Sequence, residues 1–340
     1  EKLKRGTAAG NSGARYEHYK ILDTSIVEFF CDQMLNGTVP APHRPFVVSG
    51  KLFALEKDPG QKNARPVAVG EAIRRMAAGI VCYQDRDLFT KNFLASLQFG
   101  VNVKGGVEFV HSCVQRHFDR LLEEHIENHP AVPTSSQDST ADEGDSEDDH
   151  DSDPPGMLAS DFENGFNSTL RRKVCSRLRE QYPTMLRHYY LTYGTHAGAH
   201  PKLRVHYKGR VIATIASVYG SMQGDPLGGH WFTLSIQSFM DALRRHLKDE
   251  TMIAWIVDDL TVVGPHSELH AAATFIKQQG CHYGLKLKAA KCKLYSHADP
   301  SLDLASHAFE HSTQGITKLL GAPVGRVAHN RAAATDRVKQ

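Results

Sequence analysis

The 340-residue chain predicts an α+β fold, an antiparallel sheet backed by helices. Three observations carry this. Long segments repeat apolar residues at helical spacing. Short apolar runs of strand length alternate with them. Two of those runs, 252–257 and 260–263, meet at an acidic turn, as the arms of a hairpin do.

The elements follow in order. Residues 1–20 are polar, carry Gly6, Gly10 and Gly13, and read as a loop. Asp23 opens a helix running to Leu35, with Ile26, Val27, Phe30 and Met34 on one face. Phe46 to Leu55 holds apolar runs interrupted at Ser49-Gly50, which suggests a hairpin. Helices are predicted over Glu71–Tyr83 and Gly106–Ile126, the second carrying Val107, Val110, Val114, Phe118, Leu121 and Leu122 at helical spacing. Residues 131–156 are acidic, Ser-rich and bounded by prolines. They read as a disordered insert, too charged to bury a core. Met157–Asp161 is a short buried strand, and Asn167–Tyr182 a helix stopped by Pro183. Leu203–Ile215 reads as a hairpin turning at Lys208-Gly209. Pro226–Leu247 is a helix with Asp225 at the N-cap and Pro226 in the first helical position. Glu268–Gly280 is helical, while Leu285–Tyr295 and Ile316–Leu320 are strand-like. No internal repeat is visible.

The net charge of +2 hides a partition. Nine of the 38 acids fall between Thr134 and Pro155, where no Lys or Arg occurs, so the rest carries 40 basic and 29 acidic residues, a balance of +11. A basic foldable part suits a polyanionic partner, because Lys and Arg at phosphates release counterions. The six cysteines are scattered without a C-x-x-C pair, and read as reduced thiols of an intracellular protein. No apolar run reaches the length of a membrane span. The chain opens on Glu1 and reads as a fragment of something longer, with no signal peptide.

The chemistry starts at Asp258-Asp259. Adjacent carboxylates on a tight turn between buried strands repel each other, and a cation relieves that. The competing reading is an ordinary turn, where Asp is favoured. Asp161 ends a second apolar strand, Met157-Leu158-Ala159-Ser160. Three aspartates from two strands could form a divalent-metal site of the kind phosphoryl transfer uses, with two ions about 4 Å apart.

Ser160-Asp161-Phe162-Glu163-Asn164-Gly165-Phe166-Asn167 resembles the first palm motif of reverse transcriptases. Gly220-Ser221-Met222-Gln223-Gly224-Asp225-Pro226-Leu227-Gly228 is similar to their second, in the Q-G-D-P-L form typical of non-LTR (LINE-type) retrotransposons. Ile256-Val257-Asp258-Asp259 resembles the third, Gly284-Leu285-Lys286-Leu287 with Lys291-Cys292 the fourth, and Leu319 to Gly325 the fifth, the primer grip. Upstream, Arg65-Pro66-Val67-Ala68-Val69-Gly70 with Arg74-Arg75 resembles the fingers motif, and Gly6 to His18 the element that opens the domain. The resemblance spans about residues 5–325, with the motifs in the family's order.

It implies a right-hand polymerase fold. Residues 1–130 would be fingers and the start of the domain, 131–156 the acidic insert, 157–325 palm with remaining fingers elements, and 326–340 a tail truncated before a thumb. It implies RNA-directed DNA polymerase activity on an RNA template, a DNA primer and dNTPs, with two Mg²⁺ ions, or Mn²⁺ in their place. Asp161 and Asp258 would bind both metals, with Asp259 in support. Phe166 would be the steric gate against a 2′-hydroxyl, and Gln223 and Gly224 would contact the incoming nucleotide and template. Arg65 would hold the triphosphate, with Lys51 and Lys57 weaker candidates. Either Lys291 or Lys286 would protonate the leaving pyrophosphate. Neither a membrane nor an oligomer is implied, and the point of action would be nuclear. The sequence departs from the pattern at Ile256, where an aromatic residue is common, at Gly165, where Ala is common, and in the acidic insert. The alternative is a decayed or repurposed polymerase fold that binds nucleic acid without catalysis. An RNA-making polymerase is disfavoured by the aromatic at Phe166.

Overall fold

The computed structural model describes residues 6–56, 64–130, 153–194, 200–296, 309–312, 315–325 and 330. Its contacts divide the chain into two compact units. The first comprises Glu1–Ser96, Asn164–Ser238 and His282–Leu285. The second comprises Leu97–Glu163, Phe239–Cys281 and Lys286–Gln340.

In the first unit, α1 (Tyr16–Tyr19) precedes α2 (Thr24–Leu35). Asp23 caps α2 by accepting the Ser25 N–H at 2.8 Å, and the helix ends just before Gly37, whose φ of +67° suits a residue without Cβ. Its Cys31 and Met34 bury against Val39 and against Ile73, Met76 and Ala77 of α4 (Ala72–Gln84). Strand β1 (Gly50–Glu56) pairs antiparallel with β2 (Ala64–Gly70) and parallel with β4 (Lys202–Tyr207). Strand β4 turns through Lys208-Gly209, both at positive φ, into β5 (Arg210–Ala216), as the sequence predicts. The sheet order is β2-β1-β4-β5.

Three expectations change here. Residues 1–20, expected as a loop, contain α1 at Tyr16–Tyr19. Phe46–Leu55 is not a hairpin but α3 (Arg44–Val48) followed by β1. Pro45 sits in the first turn of α3, where its missing N–H does no harm, and the Ser49 hydroxyl donates back to the Pro45 carbonyl. The single helix over 167–182 is split into α7 (Gly165–Ser168) and α8 (Arg171–Gln181). Thr169 is extended at the break, and its carbonyl accepts from Gly220 N–H at 2.8 Å. Sequence gave no reading for α5 (Arg86–Ala95) or α9 (Leu186–Tyr193).

The second unit is built on a five-stranded sheet of order β6-β7-β3-β8-β9. These are β3 (Pro155–Ser160), β6 (Met252–Ile256), β7 (Asp259–Pro265), β8 (Lys293–Ser296) and β9 (Glu310–Ser312). All neighbours are antiparallel except β8 and β9. Helix α6 (Gly106–Asn128), which the sequence reading groups with residues 1–130, belongs to this unit. Its Val110, Val114 and Phe118 are buried with Met157, Ala254, Val263 and Tyr295 of the sheet. Fully burying each such side chain contributes about 1.5–3 kcal/mol. The helix α10 (Gly228–His246) starts two residues later than Pro226, and α11 (His266–Gln279) follows β7. A second hairpin, β10 (Gly315–Leu319) and β11 (Ala322–Gly325), turns at Leu320-Gly321, both at positive φ. The predicted strand over Leu285–Tyr295 is interrupted by a 3-10 turn at Ala289–Lys291, so only β8 runs in full register. Of the acidic insert, residues 131–152 lie outside the described residues.

Candidate active site

Strands β3 and β7 end their pairing at the acidic residues of the second unit. The last pair is Ser160 with Leu260, and the next residues beyond it are Asp161 after β3 and Asp259 at the start of β7. Ile256 pairs with Asp259 across β6 and β7, which leaves Val257-Asp258 as the two-residue turn. Asp161 and Asp259 line one cleft, and Asp258 adjoins Asp259 in the chain. Asp161 and Asp258 are half-buried and Asp259 is exposed.

The backbone after β3 is held on its other side. Lys288 N–H donates to the Asp161 carbonyl at 2.9 Å, and Glu163 N–H to the Lys286 carbonyl at 2.8 Å. Phe162 is buried and stacks on Trp255 of β6, ring centroids 6.0 Å apart and 12° from parallel. A cleft of about 400 Å³ opens beside these strands. Asp161, Asp259 and Lys291 line it, together with Leu319, Leu320 and Gly321 of the β10–β11 turn. The two lysine candidates separate here. Lys291 Nζ lies 4.0 Å from Asp161 Oδ2 at the cleft, whereas Lys286 is largely exposed and pairs with Glu163 at 2.9 Å.

Among the described residues no three His, Cys, Asp or Glu side chains form a group that could hold a metal ion, so Asp161, Asp258 and Asp259 do not stand together as the three-aspartate cluster the sequence suggests. Mg²⁺ does not need one, since it is typically held by one or two carboxylates plus waters and substrate phosphates. Carboxylate oxygens are the hard donors that this ion takes.

The remaining candidates sit in the first unit. Phe166 lies in α7, half-buried, and stacks on buried Phe232 of α10 at 5.0 Å and 12°. Its carbonyl accepts the Ser221 N–H at 2.6 Å, which ties α7 to the loop carrying Gln223 and Gly224. The Gln223 carbonyl accepts the Ala68 N–H at 2.7 Å, so this loop covers the outer edge of β2. Gly224 has φ +108°, and a Cβ there would meet the Ala68 carbonyl oxygen at 2.6 Å. Only glycine fits both demands. Arg65 is exposed on β2, three residues before Ala68. Lys51 is on β1 with its ammonium 5.5 Å from the Phe53 ring centre, and Lys57 lies outside the described residues.

Asp225, expected as the N-cap, lies three residues before α10 starts at Gly228. Its carboxylate accepts from Leu227 N–H at 3.0 Å, from Tyr193 Oη at 2.7 Å and from Arg74 Nη2 at 2.8 Å. Burial pushes the carboxyl pKa up, but the Arg74 charge and the Tyr193 and Leu227 bonds outweigh it and leave the pKa below the usual range. Sequence reasoning missed this network. The only available signal was that Arg74 and Asp225 both fall inside recognisable motifs.

The family model for reverse transcriptase (RNA-dependent DNA polymerase) matches residues 109–324, more than half of the chain. The chain belongs to the reverse transcriptase family. Among solved structures, this reverse transcriptase-family chain is similar to apo telomerase from Candida tropicalis truncated from its C-terminal domain, at 12% identity and a TM-score of 0.50. That similarity covers 75% of this chain and 51% of the telomerase chain, so the present chain spans about half the telomerase chain's length. At this identity the likeness concerns the fold, an α+β polymerase fold. No curated protein matches. The reverse transcriptase match encloses Asp161, Phe166, Gln223, Gly224, Asp258, Asp259, Lys286 and Lys291, and leaves Arg65 outside.

Proposed function

We propose that the chain is the polymerase core of a reverse transcriptase, joining dNTPs to a DNA primer 3′-hydroxyl on an RNA template. The observation that supports the reading is the cleft lined by both Asp161 and Asp259, with Asp258 in the adjoining turn. Asp161 and Asp258 would hold two Mg²⁺ ions, or Mn²⁺, with Asp259 in support. Bound there, the ions would activate the primer hydroxyl and stabilise the leaving pyrophosphate. Lys291, at the cleft beside Asp161, is better placed than Lys286 to give that leaving group a proton. Phe166, Gln223, Gly224 and Arg65 would form the nucleotide-binding surface, with Phe166 excluding a 2′-hydroxyl. The first unit would then supply fingers and the second palm. The Q-G-D-P-L sequence at 223–227 supports a non-LTR retrotransposon-like element acting in the nucleus.

Primer extension on poly(rA)/oligo(dT) with Mg²⁺ tests this. Wild type is expected to incorporate dTTP. Asp258→Ala is expected to abolish incorporation while its melting temperature stays near wild type. Full incorporation by Asp258→Ala would remove the carboxylate's role. A folded wild type without incorporation would leave nucleic-acid binding alone.

A further inference from the structure

The acidic turn is held in an unfavourable conformation. Val257, a β-branched residue, has φ +57°. Such a residue at positive φ is a steric outlier that persists only where its surroundings enforce it. The enforcing group is Gln98, whose side chain is completely buried. Its Oε1 accepts the Val257 N–H at 2.8 Å, and its Nε2 donates to the Val257 carbonyl at 3.0 Å. One side-chain amide thus takes both backbone groups of the residue preceding Asp258. The same Oε1 also accepts the Gly100 N–H at 2.9 Å.

Gln98 is itself fixed. Strand β6 is the edge of its sheet, and Leu97–Gly100 runs alongside it. Trp255 N–H donates to the Leu97 carbonyl at 2.9 Å, and Phe99 N–H to the Trp255 carbonyl at 2.8 Å. Gly100 passes so close to the turn that a Cβ would lie 2.6 Å from the Val257 nitrogen. All of these residues belong to the second unit.

We infer that Gln98 is a positioning residue for the acidic site. Its amide clamps the Val257 peptide so that Asp258 and Asp259 are presented together to divalent cations. This inference rests on the metal-binding reading above and adds the device that aims its carboxylates. Partners behind a metal ligand typically govern 10- to 100-fold of metal affinity or activity.

The test uses the full chain, with Gln98→Ala, Gly100→Ala and Gln98→Ala combined with Val257→Asn. Asn tolerates positive φ, so it should need the clamp less. The first readout is Mn²⁺ titration by electron paramagnetic resonance. Gln98→Ala and Gly100→Ala are each expected to weaken Mn²⁺ binding roughly tenfold or more, and the added Val257→Asn to recover most of that loss. The second readout is hydrogen exchange at the Val257 amide, expected to speed up by at least about tenfold in Gln98→Ala for the lost bond. Unchanged Mn²⁺ affinity in both single variants overturns the inference. So does a loss that Val257→Asn does not relieve, or that accompanies general unfolding in both single variants. Neither readout needs catalysis. If Mn²⁺ binding and exchange respond as expected but wild type extends no primer, the clamp stands and the polymerase reading falls.

Discussion

His230 lies buried against Phe89 and Phe93, with ring centroids at 4.5 and 5.9 Å. Burial lowers its pKa to about 4, against a slight upward pull from Asp225. The unfolded chain takes up a proton on this ring below pH ~6.5, while the folded protein does not until about pH 4. The unfolded state therefore binds more protons across that window, and stability falls as pH drops through it. The loss should reach roughly 3 kcal/mol at the acid end, at 1.36 kcal/mol per unit. Urea denaturation at pH 7 and pH 5 should show a large part of it in wild type. In His230→Phe, which retains the aromatic packing, the difference should be smaller by that share. Phe166 poses a different single-residue question, because its stacking on Phe232 is also what a core ring would do. Phe166→Ala should lower the preference for dNTPs over rNTPs in primer extension. An unaltered preference would make the ring a packing residue only.

At the scale of elements, local signals were legible where one segment settles its own conformation. Asp23 before an apolar-periodic run specified α2, and Lys208-Gly209 between apolar runs specified the β4–β5 turn. The acidic hairpin was legible because two apolar runs flank it, but its turn is Val257-Asp258, one residue earlier than the expected Asp258-Asp259, because Ile256 pairs with Asp259. Where a distant segment competes for backbone hydrogen bonds, local reading failed. The helix over 167–182 breaks because Gly220 takes the Thr169 carbonyl and buried Arg171 donates to the carbonyls of Gly220, Tyr193 and Ser217. Asp225 was read as an N-cap, but α10 starts at Gly228 and Asp225 is instead the buried partner of Arg74, 151 residues away in sequence. Such a pair satisfies both charges, and removing one partner typically costs about 3–5 kcal/mol. Gln98 left no local trace because its partners belong to a hairpin 159 residues downstream.

For the whole molecule, charge is the property that composition fixes. Replacing residues 134–152 by a neutral linker removes eight of the 38 acids and none of the 40 Lys and Arg, and takes the net charge from +2 to +10. Asp153 is kept because it accepts from the Ser267 backbone N–H at 2.9 Å. Fluorescence anisotropy on an RNA–DNA hybrid should show tighter binding by the shortened protein at low salt, with the difference shrinking as salt rises and screens it. An equal affinity at all salt concentrations would mean that the insert's charge does not reach the binding surface.

The sequence by itself determined the type of many elements, the basic balance outside the insert, and three aspartates as candidates for the chemistry. Those follow from short-range periodicity and residue type, which each segment contains in full. Only the tertiary structure decided that Asp161 and Asp259 line one cleft, that α6 packs with the second unit's sheet, and that the Gln98 amide bonds to Val257. Strand register and buried amide pairing depend on groups far apart in the chain, and they become fixed only when the sheet closes around them.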